Sequence, residues 1–413
     1  MKIEIITIGD EILIGQVIDT NSAWMSKELN YLGWEVIRIS TVSDKYDDII
    51  NSFEEAMQRA EVVLVTGGIG PTKDDITKSV LLDYFGGKKI FREDIKQNIE
   101  EIFANRNIKI NDSTLSQAFV PDNATILMNK VGTAPCTLFE KEGRILISMP
   151  GVPTEMKWLM KNKVLPYLIE KTKETSVVIH KTFLIKNYSE SALSEKLDLF
   201  EKELPDLFKL AYLPQAGIVR LRLTGRNNDE NLLKVLCDII SIKLRTILGN
   251  DIFSEEDLPI EKLVANKLLE KQFTLSTAES CTGGNIAHKI TLNAGSSEYF
   301  MGSVVSYSNE VKHNVLNVKQ ETLDRFGAVS EQVVREMLDG VSDICKTDCA
   351  VATSGIAGPA GGSVEKPVGT IWIGAKVKDK YFIKLYRFGT IREYNIEKSS
   401  NTALIMLYEM LSE

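Results

Sequence analysis

The chain has 413 residues, room for two to three domains at about 150 residues each, and every such piece can bury a core without disulfide or metal staples. Lys and Arg number 49 against 57 Asp and Glu, a formal charge of −8, which excludes a dominant phosphate-backbone binder. Small anionic ligands stay open, since a few local cations or backbone N–H groups suffice for them. The five cysteines (Cys136, Cys237, Cys281, Cys345, Cys349) are odd in number and lack zinc spacing. Asp10 and Glu11 interrupt the opening where a signal peptide needs apolar residues, and no run approaches the roughly 18 apolar residues of a membrane span. A cytoplasmic protein with reduced thiols is expected.

Residues 2–8 read as a short apolar strand, and 20–32 carry helical periodicity behind the cap candidates Asp19 and Thr20. A strand at 35–39, a helix at 47–59 and a buried strand at 62–65 follow, the last ending at Gly67-Gly68. A helix at 75–85 leaves this turn. Such alternation predicts an α/β fold with a doubly wound, mainly parallel sheet, whose ligands sit at the carboxyl ends of the strands. Those ends are the turns at 9–15 and 66–75. A helical pair (92–106 and 113–119), a hairpin across 136–148 and a helix to about 170 complete a first domain, 1–172.

A composition shift at 171–175 opens a small α+β domain, 173–255. It reads as strand 177–185, helix 191–200, strand 218–223, helix 230–248 and strand 251–253. The pattern hints at a nucleic-acid-binding module of the KH type, but the Gly-x-x-Gly loop such a module needs is absent. A spacer or dimerisation role is expected instead. The third domain, 256–413, opens with a helix at 260–270 and places strands at 273–277, 303–307, 350–354, 370–377 and 381–387. Helices near 283–291, 309–315, 330–345 and 393–411 alternate with them, so a second α/β domain with a partly antiparallel sheet is predicted.

Three glycine-rich turns carry the chemistry. In TGGIGPTKDD (66–75) a strand passes into a helix, so backbone N–H groups converge on an anion and the helix dipole favours it. The spacing is neither a Walker loop nor Gly-x-Gly-x-x-Gly. Asp74 and Asp75 fit a divalent cation between carboxylates and ligand; they also fit plain helix capping. Gly9-Asp10-Glu11 and Asp19-Thr20-Asn21 border the same crevice, with both readings open.

AESCTGG (278–284) puts Ser280 where a strand turns into a helix. The only histidines are His180, His288 and His313, and no Gly-x-Ser-x-Gly surrounds the serine, so a histidine triad lacks its base. A Ser–Lys arrangement is the alternative, with Lys312 in YSNEVK (307–312) as base. Spacing alone makes Lys312 a solvated surface lysine. Tyr307 and Lys312, five positions apart, do not stack on one helical face, which excludes the dehydrogenase pairing of Tyr and Lys. TSGIAGPAGG (353–362) follows another buried strand and offers hydroxyls and N–H groups to a phosphate or an oxyanion. Two such loops in one domain point to a nucleotide-sized ligand.

Together these motifs resemble the CinA (competence/damage-inducible protein A) family over the whole chain. GDEILIGQVIDTN, TGGIGPTKDDIT, VGTAPC and MPGVPTEM resemble its molybdopterin-binding-like domain, which in characterised members hydrolyses ADP-ribose with a divalent metal. AESCTGG, VVSYSNEVK, GAVS, TSGIAGPAGG and EKPVGT resemble its amidohydrolase domain. That domain is similar to nicotinamide-nucleotide amidase, which converts nicotinamide mononucleotide (NMN) to nicotinate mononucleotide and ammonia. The resemblance implies Ser280 as nucleophile with Tyr307 and Lys312 as its activating pair. Loop chemistry and resemblance together give Thr282, Gly283, Gly284, Ser354, Gly355, Gly358 and Arg392 to the amidase substrate. In the first domain they give Gly67, Gly68, Gly70, Thr72 and Asn21 to the nucleotide, and Asp74, Asp75 and Asp10 to a divalent metal ion.

Three positions depart from the family pattern. Ser354 stands where threonine is usual, and the Gly-Asp-Arg motif reads Gly389-Thr390-Ile391-Arg392. The usual Asn-Pro-x-Gly-Thr-Ala-Pro-Gly reads Asn129-Lys130-Val131-Gly132-Thr133-Ala134-Pro135-Cys136, so a looser loop beside the nucleotide is expected. The resemblance implies small-molecule partners (NMN and ADP-ribose), a homodimer, and no cofactor for the amidase domain. Direct nucleic-acid contact and a membrane are not expected. Two alternatives stand beside this reading: a first domain that only binds a pterin or nucleotide, and a whole chain acting as an adaptor in DNA uptake.

Overall fold

The computed structural model describes every residue except Pro71, Lys73, Asp74, 107–108 and 173–176. The composition shift at 171–175 thus falls largely outside the described residues, as does Asp74. The chain forms two compact units, Met1–Val178 with Arg226–Glu230, and Ile179–Gly225 with Asn231–Glu413.

The first unit is built on a six-stranded sheet in the order Glu35–Val42, Lys2–Ile8, Val62–Thr66, Arg144–Met149, Cys136–Lys141, Thr125–Leu127. The first four strands are parallel and the last two antiparallel. Val62–Thr66 is buried at all five positions, as a central strand covered on both faces must be. Helix Tyr46–Arg59 covers one face with Ile49, Phe53, Ala56 and Met57, the three-to-four spacing of one helical stripe. On the other face Met25 and Leu29 of helix Thr20–Tyr31 pack with Met156, Leu159 and Val164. Asp19 caps Thr20–Tyr31 by accepting from Ser22 N at 2.9 Å. The segment expected as one helix over 113–119 divides into Asp112–Leu115, the turn Ser116–Ala118 and strand Phe119–Pro121, which pairs with Lys89–Phe91.

The second unit contains two sheets. Phe208–Gln215, Ile218–Asn227, Val177–Ile185 and Ile252–Ser254 form one in that order, with helices Glu190–Lys202 and Glu230–Leu248. Phe208–Gln215 was not predicted. It is half-exposed and holds Pro214, so its pairing with Ile218–Asn227 rather than its composition makes it a strand. The other sheet runs Phe300–Val305, Leu275–Glu279, Cys349–Gly355, Thr370–Val377, Lys380–Arg387, parallel across the first three and antiparallel across the rest. Helices Ile260–Lys271 and Arg392–Ser412 bury one face through Leu263, Leu268, Leu404 and Leu407. Helix Glu331–Cys345, capped by Ser330, buries the other through Val334, Met337 and Val341. The short polar helix Gln320–Phe326 was also missed, because seven residues with few apolar positions leave no measurable period. Among the described residues no helix is long and apolar enough to cross a membrane.

Candidate active sites

In the second unit, three parallel strands end side by side. Glu279 is in register with Val305 on one side and Thr353 on the other, so Ser280, Ser306 and Ser354 emerge at one sheet edge. A cavity of about 240 Å³ opens there, lined by Ser280, Tyr307, Lys312, Ser354, Gly355 and Arg392 among others. Helix Asn309–Asn314 starts at Ser308, whose Oγ accepts from Val311 N at 3.2 Å, and it buries one side chain, Lys312. The lysine is 1% exposed, against the solvated position that spacing alone suggests. Its Nζ lies 2.9 Å from Ser280 Oγ and donates to the Ser306 carbonyl at 2.6 Å. Burial pushes its ammonium down to about 8. Burial drives the neighbouring Cys281 thiol the other way, up to about 12, so it stays protonated and leaves the serine as the candidate nucleophile.

A residue overlooked in the sequence holds this turn. Glu279 is fully buried, and its carboxylate accepts from the N–H groups of Gly284 (3.0 Å), Ile286 (3.0 Å) and Ala287 (2.8 Å). It therefore closes the first turn of helix Asn285–Thr291 and fixes the path of Ser280–Gly284. The signal was present, a carboxylate at the end of a buried strand just before a glycine pair. Gly283 and Gly284 have φ of +62° and +98°, and their N–H groups are taken by Ser280 O and Glu279. They shape the turn, and along with Thr282 they stand behind the cavity wall. Thr282 Oγ1 bonds Thr353 Oγ1 at 2.7 Å. Among the described residues, the N–H groups of Cys281 and Thr282 are those of this turn still open to a ligand.

Tyr307 is exposed at the cavity mouth, where its hydroxyl accepts from Arg392 at 3.1 Å. Arg392 also donates to Gly358 O at 2.7 Å, so the altered Gly-Thr-Ile-Arg sequence still delivers its guanidinium to the site. Gly358 stands behind it, and Ser354 Oγ donates to Ala328 O at 2.6 Å. His288 and His313 are exposed, and no histidine lines the cavity.

The first unit has a larger cavity, about 830 Å³, at the carboxyl ends of its parallel strands. Asn21, Gly67, Gly68, Gly70, Thr72, Asp10 and Asp75 all line it. Gly67 has φ of +109°, and a Cβ there would stand 2.1 Å from Ile8 O, so the turn requires glycine. Asp75 accepts from Thr72 N at 2.8 Å and from the Thr72 hydroxyl. It therefore ties the glycine turn, while helix Thr77–Phe85 starts without a side-chain cap. Asn21 donates to Thr66 Oγ1 (3.2 Å) and Gly151 O (2.7 Å), and its Oδ1 is buried with no hydrogen-bond partner.

Asp44, Lys78 and Asn129 were also missed. Asp44 accepts from Asp10 N at 2.9 Å, and its carboxyl is raised above the usual range by burial and by the charges of Asp10, Glu11 and Asp75. Lys78 lines an adjoining cavity with Gly70, Thr72 and Asp75, and burial pushes it down to about 8. Asn129 organises the loop expected to be loose, accepting from Val131 N and Gly132 N and donating to Ala134 O and Glu155. No three His, Cys, Asp or Glu side chains among the described residues form a metal cage. The donors that line the cavity are hard oxygens, and the crowding of carboxylates around Asp44 is a repulsion that a divalent cation relieves. One or two carboxylates completed by water and phosphate suit Mg²⁺-like ions, so the residues fit such an ion.

The fold and these two cavities mark a modular α/β chain with a candidate site in each unit, and the modules match known families. Residues 4–170 match the probable molybdopterin binding domain, 180–254 the damage-inducible protein CinA KH domain, and 257–411 the CinA C-terminal domain. A CinA-like protein of Flavobacterium psychrophilum is 44% identical over 99% of this chain and 98% of its own length. One from Cytophaga hutchinsonii is 40% identical over 99% and 98%. A crystal structure of a competence/damage inducible protein from Agrobacterium tumefaciens is 38% identical, covering 38% of this chain and 99% of that one, with a TM-score of 0.36. The chain belongs to the CinA family.

Proposed function

We propose that the second unit hydrolyses the carboxamide of NMN to nicotinate mononucleotide and ammonia, with Ser280 as nucleophile. The observation that carries this reading is the 2.9 Å approach of Lys312 Nζ to Ser280 Oγ, in a buried site that holds the amine near 8. A neutral amine keeps one N–H on Ser306 O and turns its lone pair to the serine hydroxyl. Ser280 Oγ bonds to the carboxamide carbon as its proton passes to Nζ. The N–H groups of Cys281 and Thr282 receive the developing oxyanion. Collapse breaks the C–N bond, Nζ returns the proton to the departing nitrogen, and ammonia leaves a nicotinoyl ester on Ser280. Water then adds, giving a proton to Nζ, and the ester C–O bond breaks as that proton returns to Ser280. Arg392, oriented by Gly358 O and Tyr307, turns its remaining N–H groups to the phosphate.

The first unit, in the same proposal, hydrolyses ADP-ribose with a divalent metal ion. Asp10, Asp44 and Asp75 would hold the ion, which when bound neutralises charge on the pyrophosphate. The N–H groups of the glycine turn and the Lys78 ammonium supply further positive potential, and Asn21 Oδ1 offers an acceptor to a ribose hydroxyl. A cytoplasmic homodimer that recycles pyridine nucleotides is the setting this reading implies; sedimentation measures its mass. The test is ammonia release from NMN by the wild type and Ser280→Ala, with ADP-ribose turnover in parallel. Release should vanish in the variant while ADP-ribose turnover persists. Undiminished release from the variant would refute the serine mechanism. NMN binding without release by the folded wild type would favour a binding module.

A further inference from the structure

The second unit holds another cavity, about 500 Å³, that the chemistry above does not use. One wall is the edge strand Lys380–Arg387 with the outer side of helix Arg392–Ser412; the other is the turn after Val177–Ile185 and the hairpin tip before Ile218–Asn227. The two walls are tied together, since Asn401 donates to Ala216 O at 2.9 Å and Lys186 pairs with Glu409.

The lining is aromatic and cationic. The Tyr386 and Phe388 rings lie 5.5 Å apart. Lys398 Nζ stands 4.7 Å over Phe388 and 5.9 Å from Tyr394, and Lys384 Nζ stands 5.5 Å over Tyr386. Four cations (Lys186, Lys384, Arg387, Lys398) face two carboxylates (Glu190, Glu409), on a chain whose formal charge is −8. Glu409 is engaged by Lys186, whereas Lys384, Arg387 and Lys398 form no ion pair among the described residues. Burial pushes the Lys398 ammonium down, as for a cation that has shed water without gaining a counter-ion.

We propose that this cavity binds a nucleotide, with its base against the Tyr386, Phe388 and Tyr394 rings and its phosphate on Lys384, Arg387 and Lys398. A bare phosphate leaves the rings unused, and an uncharged aromatic leaves the cations unanswered. A cavity of this size suits one small ligand. A nucleic-acid strand shares the chemistry, but the acidic chain opposes a long polyanion. The proposal does not depend on the serine chemistry, so a failed ammonia assay leaves it standing.

The test is isothermal titration of the full chain with AMP, adenosine and a short oligo(dA). AMP should bind, adenosine more weakly, and Arg387→Gln/Lys398→Gln should weaken AMP by roughly tenfold or more, the loss of charged hydrogen bonds. AMP affinity unchanged in a variant with native near-UV circular dichroism would place the binding elsewhere and overturn the proposal. So would adenosine binding as tightly as AMP, no AMP binding at about 1 mM, or oligonucleotide binding without AMP binding. Photolabelling of the wild type with 8-azido-AMP serves as a second measurement should the variant misfold. Label within residues 186–190, 214–219, 380–388 or 394–409 supports the site; label confined to other peptides refutes it.

Discussion

Lys312 offers a sharp prediction, because its role depends on its charge. The amine is a base only when neutral, so kcat/KM for ammonia release should rise about tenfold per pH unit below the lysine pKa and level above it. With the amine near 8 in place of 10.5, roughly one molecule in ten is active at pH 7, against about one in three thousand for an ordinary lysine. Burial thus raises the working base roughly 300-fold. Initial rates with subsaturating NMN from about pH 5.5 to about 9.5 give the profile, which should bend near 8. Lys312→Arg, charged throughout, should lose about a thousandfold and regain nothing at high pH. The same depressed value carries a stability sign. The unfolded chain holds the extra proton between about 8 and 10.5, so the wild type gains about 3 kcal/mol relative to Lys312→Met as pH rises through that window. The lysine is 1% exposed, so solvent screening takes little from that figure. A bend near 6.5, or an active Lys312→Arg, would refute the reasoning.

Other expectations rest on single contacts. Glu279→Gln puts an NH₂ against backbone donors; it should destabilise the second unit by about 3 kcal/mol and depress kcat, read by thermal melting and ammonia release. Arg392→Ala should raise KM for NMN roughly ten- to a hundredfold with a smaller change in kcat, as loss of a charged phosphate contact requires. Chelation with EDTA should abolish ADP-ribose turnover and leave ammonia release intact, and Asp75→Ala should cut the former by about a hundredfold or more. Unchanged metal-dependent turnover in Asp75→Ala would remove that carboxylate from the site.

Much of the fold was legible because its strands are short, apolar and closed by glycine turns. Val62–Thr66 and Thr370–Val377 read as buried runs, and helix Tyr46–Arg59 declares its period through Ile49, Phe53 and Ala56. Strand Phe208–Gln215 was not legible, since a half-exposed edge strand with a proline is decided by its partner. The strand expected at 303–307 runs over Phe300–Val305, with one face half-buried and the other exposed, because its register follows Leu275–Glu279. Ser280 could be found from its glycine pair, but the burial of Lys312 could not. That burial depends on three strand ends meeting over a six-residue helix, a tertiary fact that local spacing does not record. Asp44 is a similar case: its loop reads as polar surface until Asp10 and Asp75 converge on it.

The central claim is that Ser280 becomes the acyl carrier when Lys312 takes its proton. The most direct measurement is acid-quenched mass spectrometry of the protein mixed with NMN, followed by peptide mapping. The account predicts an adduct of NMN less ammonia on the peptide bearing Ser280, absent from Ser280→Ala and from Lys312→Arg. Ammonia release that continues in Ser280→Ala, with no adduct on that peptide in the wild type, would contradict it.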